Sequence, residues 1–78
     1  MIKAEFMEGL ADALGVEASS LKPEMELAGI EGWSSMGLIN VIALLNDAGV
    51  NAKVAWLRGE TVKTVADILA LAIENLEG

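Results

Sequence analysis

Trp33-Ser34-Ser35-Met36-Gly37-Leu38-Ile39-Asn40-Val41-Ile42-Ala43-Leu44-Leu45-Asn46-Asp47-Ala48-Gly49 is the stretch on which the reading of the fold turns. Leu38, Val41, Ile42 and Leu45 stand at i, i+3, i+4 and i+7, the stripe of a helix that lies against a core. Met36, Ile39 and Ala43 form a second apolar line beside it, and Leu44 adds a further apolar position. A helix this greasy cannot bury every side in so short a chain, so part of its surface is expected to stay exposed. Serine is a preferred helix cap and glycine a preferred stop. The helix is therefore expected to begin at Ser34 or Ser35, to run to about Ala48 and to end at Gly49.

Towards the N-terminus, Ile2, Phe6, Leu10 and Leu14 are four residues apart, which predicts a helix over about residues 2–14 with Gly15 as its stop. Residues 15–34 keep no sustained period and hold the only proline, Pro23. Val16, Leu21, Met25, Leu27 and Ile30 recur there as apolar anchors, so the segment reads as an ordered loop across the core, with a short turn at Leu21-Lys22-Pro23-Glu24. Towards the C-terminus, Val50, Val54, Trp56 and Leu57 are available for packing, Gly59 is punctuation, and a short helical turn is expected around residues 54–63. Thr64 followed by Asp67 fits a capping box with an acid in place of the usual Glu or Gln. Val65, Ile68, Leu69, Ala72 and Leu76 then repeat at helical spacing to the end. The expected fold is all-α: one domain over residues 1–78, a small bundle of three main helices plus one short helix.

Composition narrows the chemistry. The chain has no cysteine and no histidine, which removes thiolate catalysis, the commonest general base and the usual zinc ligands. No pair of acids occupies an evidently buried apolar setting, so an enzyme is not expected, and no metal site is expected. Five basic residues against twelve acidic ones leave a formal charge of −7. Such a surface repels nucleic acid and favours partners with a basic docking face. Apolar runs such as Val41 to Leu45 are far too short to span a bilayer. No basic polar face accompanies the greasy helix, so membrane-surface binding is not expected either. The start of the chain does not read as a signal peptide. A cytoplasmic monomer is the expectation.

The informative segment for function is Gly29-Ile30-Glu31-Gly32-Trp33-Ser34-Ser35-Met36-Gly37-Leu38. A serine opening a helix stands near unpaired backbone N–H groups and the positive end of the helix dipole, a favourable field for a phosphodiester. Two serines before an apolar run are also what simple capping requires. Trp33 and Trp56, large aromatics in an aromatic-poor chain, read first as core or loop anchors.

Taken together, these features resemble the acyl carrier protein family, including the related peptidyl carriers. Leu21-Lys22-Pro23-Glu24-Met25-Glu26-Leu27 looks like the family's Leu-Thr-Pro-Asp-x-x-Leu loop. Ile30 through Met36 falls at its Asp-Ser-Leu prosthetic site, and Val62-Lys63-Thr64-Val65-Ala66-Asp67-Ile68 is similar to its Thr-Val-x-Asp-Leu start of the last helix. The resemblance covers nearly the whole chain, and Ser34 stands where the family has aspartate. It implies that a phosphopantetheinyl transferase moves a 4'-phosphopantetheine arm from coenzyme A onto Ser35. The thiol of the arm then holds acyl or aminoacyl groups as thioesters, in a specialised fatty acid, polyketide or other secondary pathway.

Partner enzymes that activate or transfer acyl groups are expected to dock on Trp33, Met36, Ile39 and Ala43. Residues 36–48 hold a single acid, Asp47, so docking would lean on apolar contact more than on charge. An acyl chain entering the bundle would meet candidates such as Ile42, Leu45, Leu57 and Ile68, residues that equally suit ordinary core packing. The competing reading is an unmodified carrier-like helical module that binds other proteins.

Overall fold

The computed structural model describes residues 1–58 and 61–77. Four α-helices form along the described chain: α1 (Lys3–Leu14), α2 (Ser35–Asp47), α3 (Val54–Arg58) and α4 (Val65–Ala72). Single 3-10 turns lie at Ala18–Ser20, Leu27–Gly29 and Ile73–Asn75. Two isolated bridges occur and no strand is present among the described residues. The small all-α bundle expected from the sequence is thus the fold observed.

The two long helices end alike. Gly15 and Gly49 adopt positive φ angles of 71° and 91°, a conformation that costs glycine nothing. The residue after each glycine then reaches back: Val16 N–H donates to the Ala11 carbonyl at 3.0 Å, and Val50 N–H to the Leu45 carbonyl at 2.8 Å. Carbonyls that the helix would leave orphaned are satisfied in this way.

The core is built from the expected stripes. Phe6, Leu10 and Leu14 of α1, Val41 and Leu45 of α2, and Val65, Ile68 and Ala72 of α4 have no exposed surface. Each large apolar side chain among them contributes roughly 1.5–3 kcal/mol by leaving water. Ala11, Ala48, Ala52 and Val62, which carry no strong periodic signal, are buried with them. Leu21, Leu27 and Ile30 are buried from the long loop, with Val16 and Met25 packed partly against the core. The loop does lie across the bundle, and Met25 N–H closes a turn onto the Lys22 carbonyl at 3.1 Å.

That loop also seals α4. The N–H groups of Val65 and Ala66 donate to the carbonyls of Met25 and Pro23 at 3.0 and 2.9 Å. The capping box is complete: Asp67 N–H donates to the Thr64 hydroxyl at 3.3 Å, and Thr64 N–H to the Asp67 carboxylate at 3.0 Å. The Asp67 carboxylate accepts a second bond, from Lys63 N–H at 2.9 Å. These bonds, the one from Lys63 first, hold its pKa below the usual carboxylate range.

Several local expectations are corrected. Ile2 precedes α1 as its cap residue and is 44% exposed; it does not extend the buried stripe. Val54 and Trp56 lie on the outer side of α3, which buries only Leu57, so Trp56 stays 40% exposed. The last helix does not reach Leu76. It tightens at Ile73–Asn75, after which Glu77 pairs in parallel with Ile2. Glu77 N–H donates to the Met1 carbonyl at 3.1 Å, and its own carbonyl accepts from Lys3 N–H at 2.9 Å. Pairing with the N-terminal segment satisfies backbone groups that a further helical turn would have used. Gly59 and part of the expected turn over 54–63 lie outside the described residues.

Candidate functional site

Ser35 is the first residue of α2, and the division of labour around it follows from its neighbour. Ser34 holds the extended cap conformation and its hydroxyl accepts from Gly37 N–H at 3.5 Å, a long bond. Leu38 N–H donates to the Ser34 carbonyl at 2.9 Å. Capping therefore falls to Ser34. Ser35 is exposed, and its hydroxyl has no hydrogen-bond partner among the described residues. The N–H groups of Ser35 and Met36 likewise donate to nothing among the described residues. The contrast with α4 is informative: that helix begins against backbone carbonyls, whereas α2 opens onto solvent. An anion on the Ser35 hydroxyl would meet free donors and the positive end of a 13-residue helix.

Two glycines hold this first turn in place. A Cβ on Gly32 would strike the Leu14 carbonyl, and a Cβ on Gly37 would strike the Gly32 carbonyl. The end of α1, the loop and the start of α2 therefore stack backbone on backbone, with no side chain between them. Trp33 N–H donates to the Ile30 carbonyl and Ser34 N–H to the Gly32 carbonyl, each at 3.0 Å, which ties the turn before the serine. Sequence reading placed Gly32 in the loop and Gly37 in the helix, with no packing role for either. Their packing role depends on which backbone crosses them, and no local pattern reveals that.

The proposed docking residues divide. Met36 and Ile39 are 69% and 57% exposed, and Ala43 is exposed on the same helix, so the sticky line stands on the surface. Trp33 is half-buried. It lines a partly open cavity of about 700 Å³ together with Glu26, Leu27, Ala28, Leu38, Leu57, Arg58, Val62 and Lys63. Trp33 and Leu38, two residues before and three after Ser35 in the chain, both line it. Of the four acyl-pocket candidates only Leu57 lines it. Leu45 and Ile68 have no exposed surface and serve as core, and Ile42 packs partly buried against that core.

The remaining lining was not foreseen, because it comes from separate segments. Leu27 N–H donates to the Lys63 carbonyl at 2.8 Å, which sets residues 26–28 beside residues 62–63. Among the described residues no three acidic side chains gather as metal ligands would, and no helix is long and apolar enough to cross a membrane. No protein-family model, curated protein or solved structure matches this chain.

Proposed function

We propose that this chain is a carrier whose Ser35 bears a 4'-phosphopantetheine arm, supplied from coenzyme A by a phosphopantetheinyl transferase. The observation that carries the reading is the unengaged, exposed Ser35 hydroxyl at the open start of α2, with capping delegated to Ser34. In the modification the serine oxygen forms a bond to phosphorus while the phosphoanhydride link of coenzyme A breaks, releasing adenosine 3',5'-bisphosphate and the hydroxyl proton. The arm's thiol supplies the thioester chemistry for acyl or aminoacyl groups. The chain itself contributes a rigid first turn, amide donors beside the new phosphodiester, and the exposed Met36, Ile39 and Ala43 line for acyl-activating or acyl-transferring enzymes. Ser34 replaces a charged cap by a neutral one, and both are good caps. In this reading the chain performs no catalysis.

Intact mass after incubation with a broad-specificity transferase and coenzyme A tests the reading. Wild type should gain the mass of one arm, Ser34→Ala should still gain it, and Ser35→Ala should not. An unmodified wild type beside a fully converted reference carrier in the same tube would end the proposal. The same exposed line on α2 also favours a second reading, an unmodified module that binds other proteins through this face. Partner binding that is indifferent to Ser35→Ala, with no modified form in cells, would select it.

A further inference from the structure

The chain holds four methionines and no cysteine, so no thiol intercepts a peroxide and the thioethers are its first targets. The fold grades them. Met7 and Met25 are half-buried and pack against the core, and the Met25 sulfur accepts from Lys22 N–H at 3.2 Å. Met1 is 38% exposed, whereas Met36 is 69% exposed, the highest value of any large apolar side chain described. Among the described residues Met36 packs neither within the buried cluster nor against it. It follows Ser35 directly and shares the exposed line of Ile39 and Ala43. An oxygen added to its sulfur would therefore leave the core intact and alter the surface beside the serine. The same change at Met7 or Met25 would press a polar S=O group against apolar neighbours.

We propose that Met36 is a site of reversible oxidation by hydrogen peroxide, and that its sulfoxide weakens docking on α2. In the step the thioether sulfur attacks one peroxide oxygen, so that an S–O bond forms and the O–O bond breaks. The sulfur gives up two electrons, the peroxide is reduced, and one water leaves. A thiol-dependent sulfoxide reductase reverses it, converting two thiols to a disulfide and releasing the oxygen as water. Any enzyme acting on Ser35 must approach past this side chain. The reduced form offers soft apolar surface, whereas the sulfoxide offers a hydrogen-bond acceptor that an apolar partner pocket would desolvate without pairing. Residues 36–46 carry no charged side chain, so no electrostatic attraction along that stretch offsets the loss. The oxidation itself does not involve Ser35; its effect on docking rests on the carrier reading.

The test uses the full chain before arm attachment, so that no arm thiol competes for the oxidant. The chain is treated with limiting hydrogen peroxide, freed of it, and given to a broad-specificity transferase with coenzyme A. Methyl NMR of the methionines follows each sulfur separately. Met36 should convert first and reach completion while Met7 and Met25 stay reduced, with the helical circular dichroism retained. Arm transfer to the oxidised chain should lose about ten-fold in kcat/KM, chiefly through KM, the scale of one methionine partly buried at an interface. Reductases for the two sulfoxide epimers should restore the rate. Met36→Leu should give one rate before and after peroxide, and Met36→Gln should be slow without peroxide. Oxidation of Met7 or Met25 as fast as that of Met36, equal transfer rates before and after peroxide, or peroxide sensitivity persisting in Met36→Leu would each overturn the proposal. A reduced wild type that accepts no arm beside a converted reference carrier would instead overturn the carrier reading and the docking effect with it, while selective oxidation of Met36 would stand.

Discussion

Replacing Gly37 by alanine isolates the contact that holds the first turn of α2. In an exposed helix interior the change would stabilise by about 1 kcal/mol, because alanine loses less backbone entropy on folding. Here the new methyl would strike the Gly32 carbonyl, with the Ala13 carbonyl 3.4 Å away on the same side. Neither obstacle is the end of a flexible side chain, so relief requires the loop or the helix to shift. Overpacking of that kind costs about 1–3 kcal/mol and sometimes more, which against the propensity gain leaves a net loss of up to about 2 kcal/mol. In a domain of this length each kcal/mol lowers the melting temperature by about 4–8 °C.

Two other glycines serve as internal controls. A Cβ at Gly9 meets only the movable end of Leu44, at 2.8 Å, and at Gly29 it meets nothing within 4 Å. Urea unfolding of the three variants should place Gly37→Ala clearly below wild type. Gly9→Ala should be neutral or slightly more stable, and Gly29→Ala should lie within about 0.5 kcal/mol of wild type. If Gly37→Ala proves as stable as Gly9→Ala, the backbone stack at the serine is not the constraint described. The displacement should also slow transfer of the arm to Ser35 while Gly29→Ala is modified at the wild-type rate.

Truncation of the core gives a larger effect: Leu45→Ala, at a side chain with no exposed surface, should lose about 2–5 kcal/mol in the same urea assay. Loss of only a few tenths would show that the cluster collapses around the vacancy. Asp67 makes stability depend on acid. Its folded pKa lies below the ordinary range, so the unfolded chain binds the extra proton and its stabilising share is present above the unfolded pKa. That share should disappear as pH falls below about 4, and Asp67→Asn should flatten this part of the stability–pH curve. An unchanged curve in the variant would assign the acid sensitivity to other carboxylates.

The parts of this protein legible in the order of its residues are those governed by contacts a few positions apart. Apolar spacing in α1, α2 and the first turns of α4, the glycine stops at 15 and 49, and the Thr64–Asp67 box are all local, and the structure shows them where the spacing puts them. The exposure of Met36 and Ile39 followed from the same count, since α2 carries more apolar surface than its neighbours cover.

Tertiary structure alone decided the rest. Leu76 had the right spacing for a helix, yet pairing of Glu77 with the N-terminal segment drew the chain out of it. Leu45 and Ile68 read equally well as pocket or core, and three-dimensional packing closed them into the core. The cavity wall is assembled from residues 26–28, 33, 38, 57–58 and 62–63, which share no period and meet only because the long loop runs beside the start of α4. Local periodicity encodes which face of a helix seeks cover. What covers it, and which charges end up at the rim, depends on contacts between residues far apart in the chain, and those are set by the whole bundle at once.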